Sequence, residues 1–343
     1  MVFFPKWGMT MNDFGFYITK FFSEYLPSNL GASINTVKSY RDAFVQFISF
    51  FEAKYKIKSS KLSFDYITVP SIEDFLLWLE EEKRISIATR NQRLAAIHSF
   101  FKYIQHREPA YFNLCTSILS IGFKKTSLSA ISYLSLNEIK ILFSLPNKKI
   151  KQEYRDLTML VILYDTGARV QELIDLKLQQ IRLDSKPIIY LQGKGNKTRV
   201  VPIGNDTANI IKKYIVDNAI TIPTDNLFKN KQQKPLTRAG VDYVLNKYIE
   251  IGRKQKPNLF KKTVSPHCMR HSKAMHLLEA GVNLIYIRDF LGHASVTTTE
   301  IYAKTNPELK RKFLEESSVS LGVTSKYSKQ NKEDLLQWLA RNI

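Results

Sequence analysis

From Gly122 to Ser132 the chain reads Gly-Phe-Lys-Lys-Thr-Ser-Leu-Ser-Ala-Ile-Ser, small and polar, between two long regions that each carry a hydrophobic period. A stretch without periodicity has no apolar face to bury, so it reads as an exposed linker that divides the fold. With 343 residues and 44% hydrophobic content, each side can build its own core. The expected organisation is a first domain over residues 1–121, a linker over 122–132, a second domain over 133–320 and a tail over 321–343.

The first region is helical by spacing. Asn35 is placed to cap a segment in which Val37, Tyr40, Phe44, Phe47 and Phe51 recur at three or four residues. Ser71 opens Phe75, Leu76, Trp78 and Leu79, and Ser86 or Thr89 opens Leu94, Ile97, Phe100, Phe101 and Ile104, ending before Pro109. Aromatic stripes at helical spacing are core residues before they are base-stacking platforms. The second region begins near Tyr133 with helices at 137–145, 154–165 and 170–176, then strands at 188–192 and 199–203, then helices again to about Leu314. Near the end, Leu335, Leu336, Trp338 and Leu339 share a helical face. The fold class is therefore mainly α with a small β-hairpin or sheet.

Lys and Arg outnumber Asp and Glu by 51 to 31, a net charge of +20 spread along the chain, which favours a polyanionic partner without saying which. Cys115 and Cys268 are too few for a disulfide framework, so a reducing, cytoplasmic setting is expected. The start is interrupted by Pro5 and Lys6, unlike a signal peptide, and the apolar run from Met159 to Tyr164 is far short of a membrane span. No membrane partner is expected.

Chemistry concentrates in the second region. In His267-Cys-Met-Arg270-His271 a helix puts His267 and Arg270 on one face, able to converge on an anion. His267 and His271 have zinc spacing, but Cys268 stands where a metalloprotease needs Glu, and Arg270 would set a positive charge beside the metal. In Leu291-Gly292-His293-Ala-Ser295, Gly292 ends one helix and Ser295 caps the next, leaving His293 at the junction and Tyr302 nine positions beyond it. Taken singly, Tyr302 reads as a core residue. Upstream, Arg169 and Glu172 begin a helix after Gly167, which alone is a plain ion pair. Gly193-Lys194-Gly195 forms a turn between two strands and lacks the P-loop pattern, so Lys194 alone is a solvated lysine.

In order and spacing, these signals together resemble the tyrosine recombinase family, the phage-integrase and Xer-type enzymes. The resemblance to the catalytic domain runs from about Tyr133 to Glu315, and the six active-site positions of the family fall on Arg169, Lys194, His267, Arg270, His293 and Tyr302. The first region is similar to the family's SAM-like core-binding domain through Asn35-Thr-Val-Lys-Ser-Tyr40 and the run from Thr89 to Lys102. The resemblance implies a site-specific recombinase that works without metal, cofactor or ATP. It also implies a duplex recombination site as partner and four protomers on two sites, exchanging strands through a Holliday junction with the C-terminal helix, 334–343, on a neighbour.

The residue types fit that reaction. Arg169 and Arg270 would donate paired hydrogen bonds to the non-bridging phosphate oxygens, with His293 adding another. A tyrosine with a pKa near 10 is only about one part in a thousand ionised at neutral pH, so Tyr302 needs a proton acceptor, for which His267 is the candidate. Glu172 either orients His267 or simply pairs with Arg169. Lys194 would protonate the leaving 5′-oxygen. Lys38, Arg90, Arg93, Arg199, Thr237 and Arg238 are expected DNA contacts by position. Lys273 stands where many family members carry an aromatic residue. About 40 residues beyond Tyr302 and a long stretch before the linker lean towards a mobile-element integrase over an Xer-type resolvase. The competing readings are a type IB topoisomerase-like enzyme and a DNA-binding protein without catalysis.

Overall fold

The computed structural model describes residues 13–126, 131–193, 195, 197–230, 232–293, 295 and 299–302. The chain separates into two compact units, residues 1–128 and 129–343. Among the described residues no helix is long and apolar enough to cross a membrane.

The first unit is helical: α1 (Asp13–Lys20), continued by a π-helical stretch Phe21–Asn29, then α2 (Ile34–Tyr55), α3 (Val69–Glu81), α4 (Ile87–Gln105) and α5 (Phe112–Leu119). Caps set the starts, and two differ from the sequence expectation. The cap of α2 is Ser33, whose hydroxyl accepts from the Thr36 amide, while Asn35 already lies inside the helix. The cap of α3 is Thr68, in a reciprocal box with Ser71. A competent hydroxyl in extended backbone just before the first turn satisfies the orphan amides there, so Ser33 and Thr68 take the role. Ser86 caps α4, one of the two residues expected. Helix α5, absent from the sequence reading, adds Cys115 and Ile118 to the core. That core is aromatic: Phe21, Phe47, Phe50, Phe75, Phe100 and Phe101 are all at most 1% exposed. Each such burial stabilises by roughly 1.5–3 kcal/mol, so these rings are committed to packing and not to bases.

The second unit contains α6 (Leu136–Ser144), α7 (Lys151–Asp165), α8 (Val170–Ile174), β1 (Ile181–Arg182), β2 (Ile188–Gln192), β3 (Thr198–Pro202), α9 (Asn205–Asp217), α10 (Arg238–Gln255), α11 (Pro266–Glu279) and α12 (Leu284–Leu291). The strands form one antiparallel sheet in the order β1-β2-β3, with Leu191 opposite Arg199. The expected strands are present, and β1 adds a third of two residues, too short to show a period. Helix α7 is buried on all sides from Leu157 to Leu163, the pattern of a central helix. Its core includes Leu191 and Val201 from the sheet and Tyr248 from α10. A smaller cluster joins Met275 and Leu278 of α11, Ile287 and Leu291 of α12, and Tyr302 in helical residues 299–302. Lys194 and the expected C-terminal helix lie outside the described residues.

Candidate active site

Two glycines in left-handed backbone shape the site. Gly167, with φ +56°, turns the chain from α7 towards α8, and a methyl group there would lie 2.9 Å from Leu291 Cδ2. Only a residue without Cβ lets the end of α12 come this close. Gly292, with φ +65°, ends α12 as the sequence reading expected and sends the chain into His293.

These turns bring distant residues together. Arg270, on α11, is 1% exposed and donates through its two terminal nitrogens to the carbonyls of Gly167 and Leu291, both at 2.6 Å. The backbone of both turns thus fixes its guanidinium plane. Arg169 precedes α8 and donates to Glu172 at 2.8 Å and to the Gly292 carbonyl at 3.3 Å. His293 pairs through Nδ1 with the Thr299 hydroxyl at 3.0 Å. His267 packs edge-on against His271, ring centres 4.5 Å apart. The Tyr302 hydroxyl lies 2.9 Å from His271 Nδ1, while the ring is 1% exposed.

The sequence assigned Glu172 two possible partners, and the structure pairs it with arginines, not with His267. It accepts from the Arg169 amide and side chain and from both terminal nitrogens of Arg199, each at 2.8 Å. Burial opposes ionisation of Glu172, but Arg199 and then Arg169 more than offset it and hold its carboxyl below the usual range. His271, read from sequence only as a zinc candidate, is the residue at the tyrosine hydroxyl. Its four-residue spacing from His267 was the available signal. Among the described residues no three His, Cys, Asp or Glu side chains gather as a metal-ligand set.

Positive charge dominates the site. Burial, then Arg169 and Arg199, push the Arg270 pKa down; an arginine nevertheless stays protonated in a protein. Burial and then Arg270, Arg169 and Arg199 hold His293 at about 4. Burial, His267 and Arg270 hold His271 at about 4. Loss of water on its packed side, then Arg270 and Arg169, lowers His267. The three imidazoles are therefore neutral near pH 7 and able to accept protons. Burial raises the Tyr302 pKa, partly countered by Arg270. The arrangement can hold a dianionic phosphorane beside a phenol that meets a neutral imidazole.

Several expected DNA contacts have other partners. Arg90 is 6% exposed and faces Glu80 at 3.4 Å, with a further bond to Asn91. Half-buried Arg93 donates to Gln46 and to the Ser39 carbonyl. Arg93 thus engages its Nε and one terminal nitrogen inside the unit, while Arg90 is held by Asn91, the Gly122 carbonyl and the Glu80 charge, its buried Nε making no hydrogen bond. Arg199 is likewise turned inward, with a side chain 11% exposed. Lys38 is exposed on α2. Thr237 caps α10 and Arg238 follows it, both exposed, with Arg238 donating to Gln171. Lys273 pairs with Asp165 at 2.8 Å and stands over the Tyr164 ring.

Comparisons with known proteins bear on the family and the fold. The model of the phage integrase family matches residues 132–308, and that of the phage integrase N-terminal SAM-like domain matches residues 19–110. A Sinorhizobium fredii protein named as an integrase/recombinase is 32% identical over 315 residues, covering 90% of this chain and 93% of its own. The XerC tyrosine recombinase of Herpetosiphon aurantiacus is 33% identical, covering 85% of this chain and 92% of its own. The crystal structure of the XerH site-specific recombinase on its difH substrate shares the fold, with a TM-score of 0.65 at 23% identity over 84% of this chain and 81% of that one. The chain belongs to the phage integrase family of tyrosine recombinases, enzymes that cut and rejoin DNA.

Proposed function

We propose that the chain recombines two DNA sites through a 3′-phosphotyrosyl link at Tyr302. The observation that carries this reading is the convergence of Arg169, Arg270 and His293 beside a tyrosine whose hydroxyl meets the neutral His271. Arg169 and Arg270, with His293, hold the non-bridging oxygens and neutralise charge as the phosphorus becomes pentacoordinate. The Tyr302 oxygen attacks phosphorus, its proton passing to an imidazole, and the bond to the 5′-oxygen breaks. Sequence favours His267 as the acceptor; the 2.9 Å contact favours His271 for the first transfer. Lys194 donates the proton that the leaving 5′-oxygen takes up. Attack by a 5′-hydroxyl from the second site reverses these steps and releases Tyr302, so the energy of the phosphodiester is kept.

The net charge of +20 supports a duplex partner, and the exposed Thr237 and Arg238 are contacts for its backbone. On this reading four protomers assemble on two sites, the C-terminal segment 334–343 joining neighbours. The resemblance to a protein named as an integrase supports insertion and excision of a mobile element. The test uses the purified chain in EDTA with a nicked suicide duplex from its own element, comparing wild type with Tyr302→Phe on a denaturing gel. A covalent band that depends on Tyr302 is expected. Bound DNA without a band would overturn the proposal.

A further inference from the structure

Arg199 lies on β3 opposite Leu191, inward like buried Val201 two positions on, while Thr198 and Val200 face out. From there its guanidinium reaches two segments far away in sequence. Both terminal nitrogens grip the two oxygens of Glu172 at 2.8 Å, and Nε donates to the Phe290 carbonyl at 3.0 Å. Its Cδ lies 3.0 Å from where a methyl group on Gly292 would stand, so the side chain lies beneath the turn that leads to His293. Glu172 holds Arg169, and Arg169 returns to the Gly292 carbonyl. The contacts close a ring through β3, the start of α8 and the end of α12.

We infer that Arg199 is a positioning residue for strand cleavage, one that sets Arg169 through Glu172 and the His293 turn through Phe290, and not a DNA contact. The inference rests on the roles proposed above for Arg169 and His293. A planar fork matching a carboxylate explains the need for arginine, since lysine is a single point charge that cannot hold Glu172 by two bonds and Phe290 by a third. Strand β3 also pairs with β2, so the same contact ties this hairpin to the site.

The test compares wild type, Arg199→Lys, Glu172→Gln and the double variant by single-turnover cleavage of the suicide duplex at saturating protein. DNA affinity is measured in parallel at several salt concentrations. Displacing a phosphate-binding group by about 1 Å costs on the order of 10² in rate, so each single variant should cleave about 10²-fold more slowly. Affinity and its salt slope should stay at wild-type values, and the double variant should lose little more than either single one. Thermal melting confirms that Arg199→Lys, which keeps charge and stem, is folded. A salt slope reduced by about one with unchanged saturated cleavage would make Arg199 a phosphate contact and overturn the inference; so would multiplicative losses in the double variant. A wild-type chain that forms no covalent link refutes the proposed function, whereas Arg199→Lys cleaving like an active wild type refutes this inference alone.

Discussion

Replacing Gly167 by alanine tests whether the close approach of α12 builds the site. Left-handed backbone costs a residue with Cβ about 1–2 kcal/mol. The new methyl would lie 2.9 Å from Leu291 Cδ2 and 3.1 Å from Phe290 Cε1, well inside ordinary carbon contact. Relieving that overlap by shifting α12 adds about 1–3 kcal/mol. Gly281 is the control: its φ is +83°, yet a methyl there meets no atom within 4 Å, so Gly281→Ala carries the backbone cost alone. In a unit of this size 1 kcal/mol moves the melting temperature by roughly 2–4 °C. Calorimetry of the full chain should therefore show the transition falling by about 10 °C in Gly167→Ala and about 4 °C in Gly281→Ala. The Gly167 and Leu291 carbonyls orient Arg270, so Gly167→Ala should also slow saturated cleavage by about 10²-fold, with Gly281→Ala near wild type. Equal melting shifts, or wild-type cleavage by Gly167→Ala, would refute the argument that this contact sets Arg270.

Two further outcomes follow from burial and charge. Arg238→Ala should weaken binding to any duplex and reduce the slope of log affinity against log salt by about one. Arg90→Ala should leave that slope unchanged and lower stability by about 1–3 kcal/mol, since it strips a partner from Glu80 inside the first unit; equal salt slopes for the two variants would contradict the assignment. His271 and His293, held at about 4 against an ordinary value near 6.5, contribute to a pH dependence that the lowered His98, His267 and His276 share in sign. Between those values the unfolded chain binds protons that the native site excludes, so stability is full above about 6.5 and falls as pH drops towards 4. Urea midpoints measured from pH 8 to 5 should decline less steeply in His271→Asn, and parallel declines would sink that account.

The aromatic core of the first unit, strands β2 and β3 and the glycine that ends α12 were legible because each rests on local chemistry. Periodicity selects a buried face, and a missing Cβ permits a left-handed turn. The order and spacing of Arg169, Lys194, His267, Arg270, His293 and Tyr302 likewise pointed to the family without any contact being known. Caps were less legible, since Ser33 and Asn35 are both competent and only the path of the backbone chooses between them. The partners of charged side chains were the least legible. Arg90 and Arg199 read as surface cations, yet one is buried against Glu80 and the other holds Glu172 and Phe290. His271 read as part of a rejected metal pair, yet it meets Tyr302, 31 positions away. Sequence by itself determined the elements long enough to show a period and which residue types are present for chemistry, but not α5 or the two-residue β1. Which cation meets which anion was decided only by the tertiary structure, because a long side chain takes the nearest group that packing brings to it, and that group is usually remote in sequence.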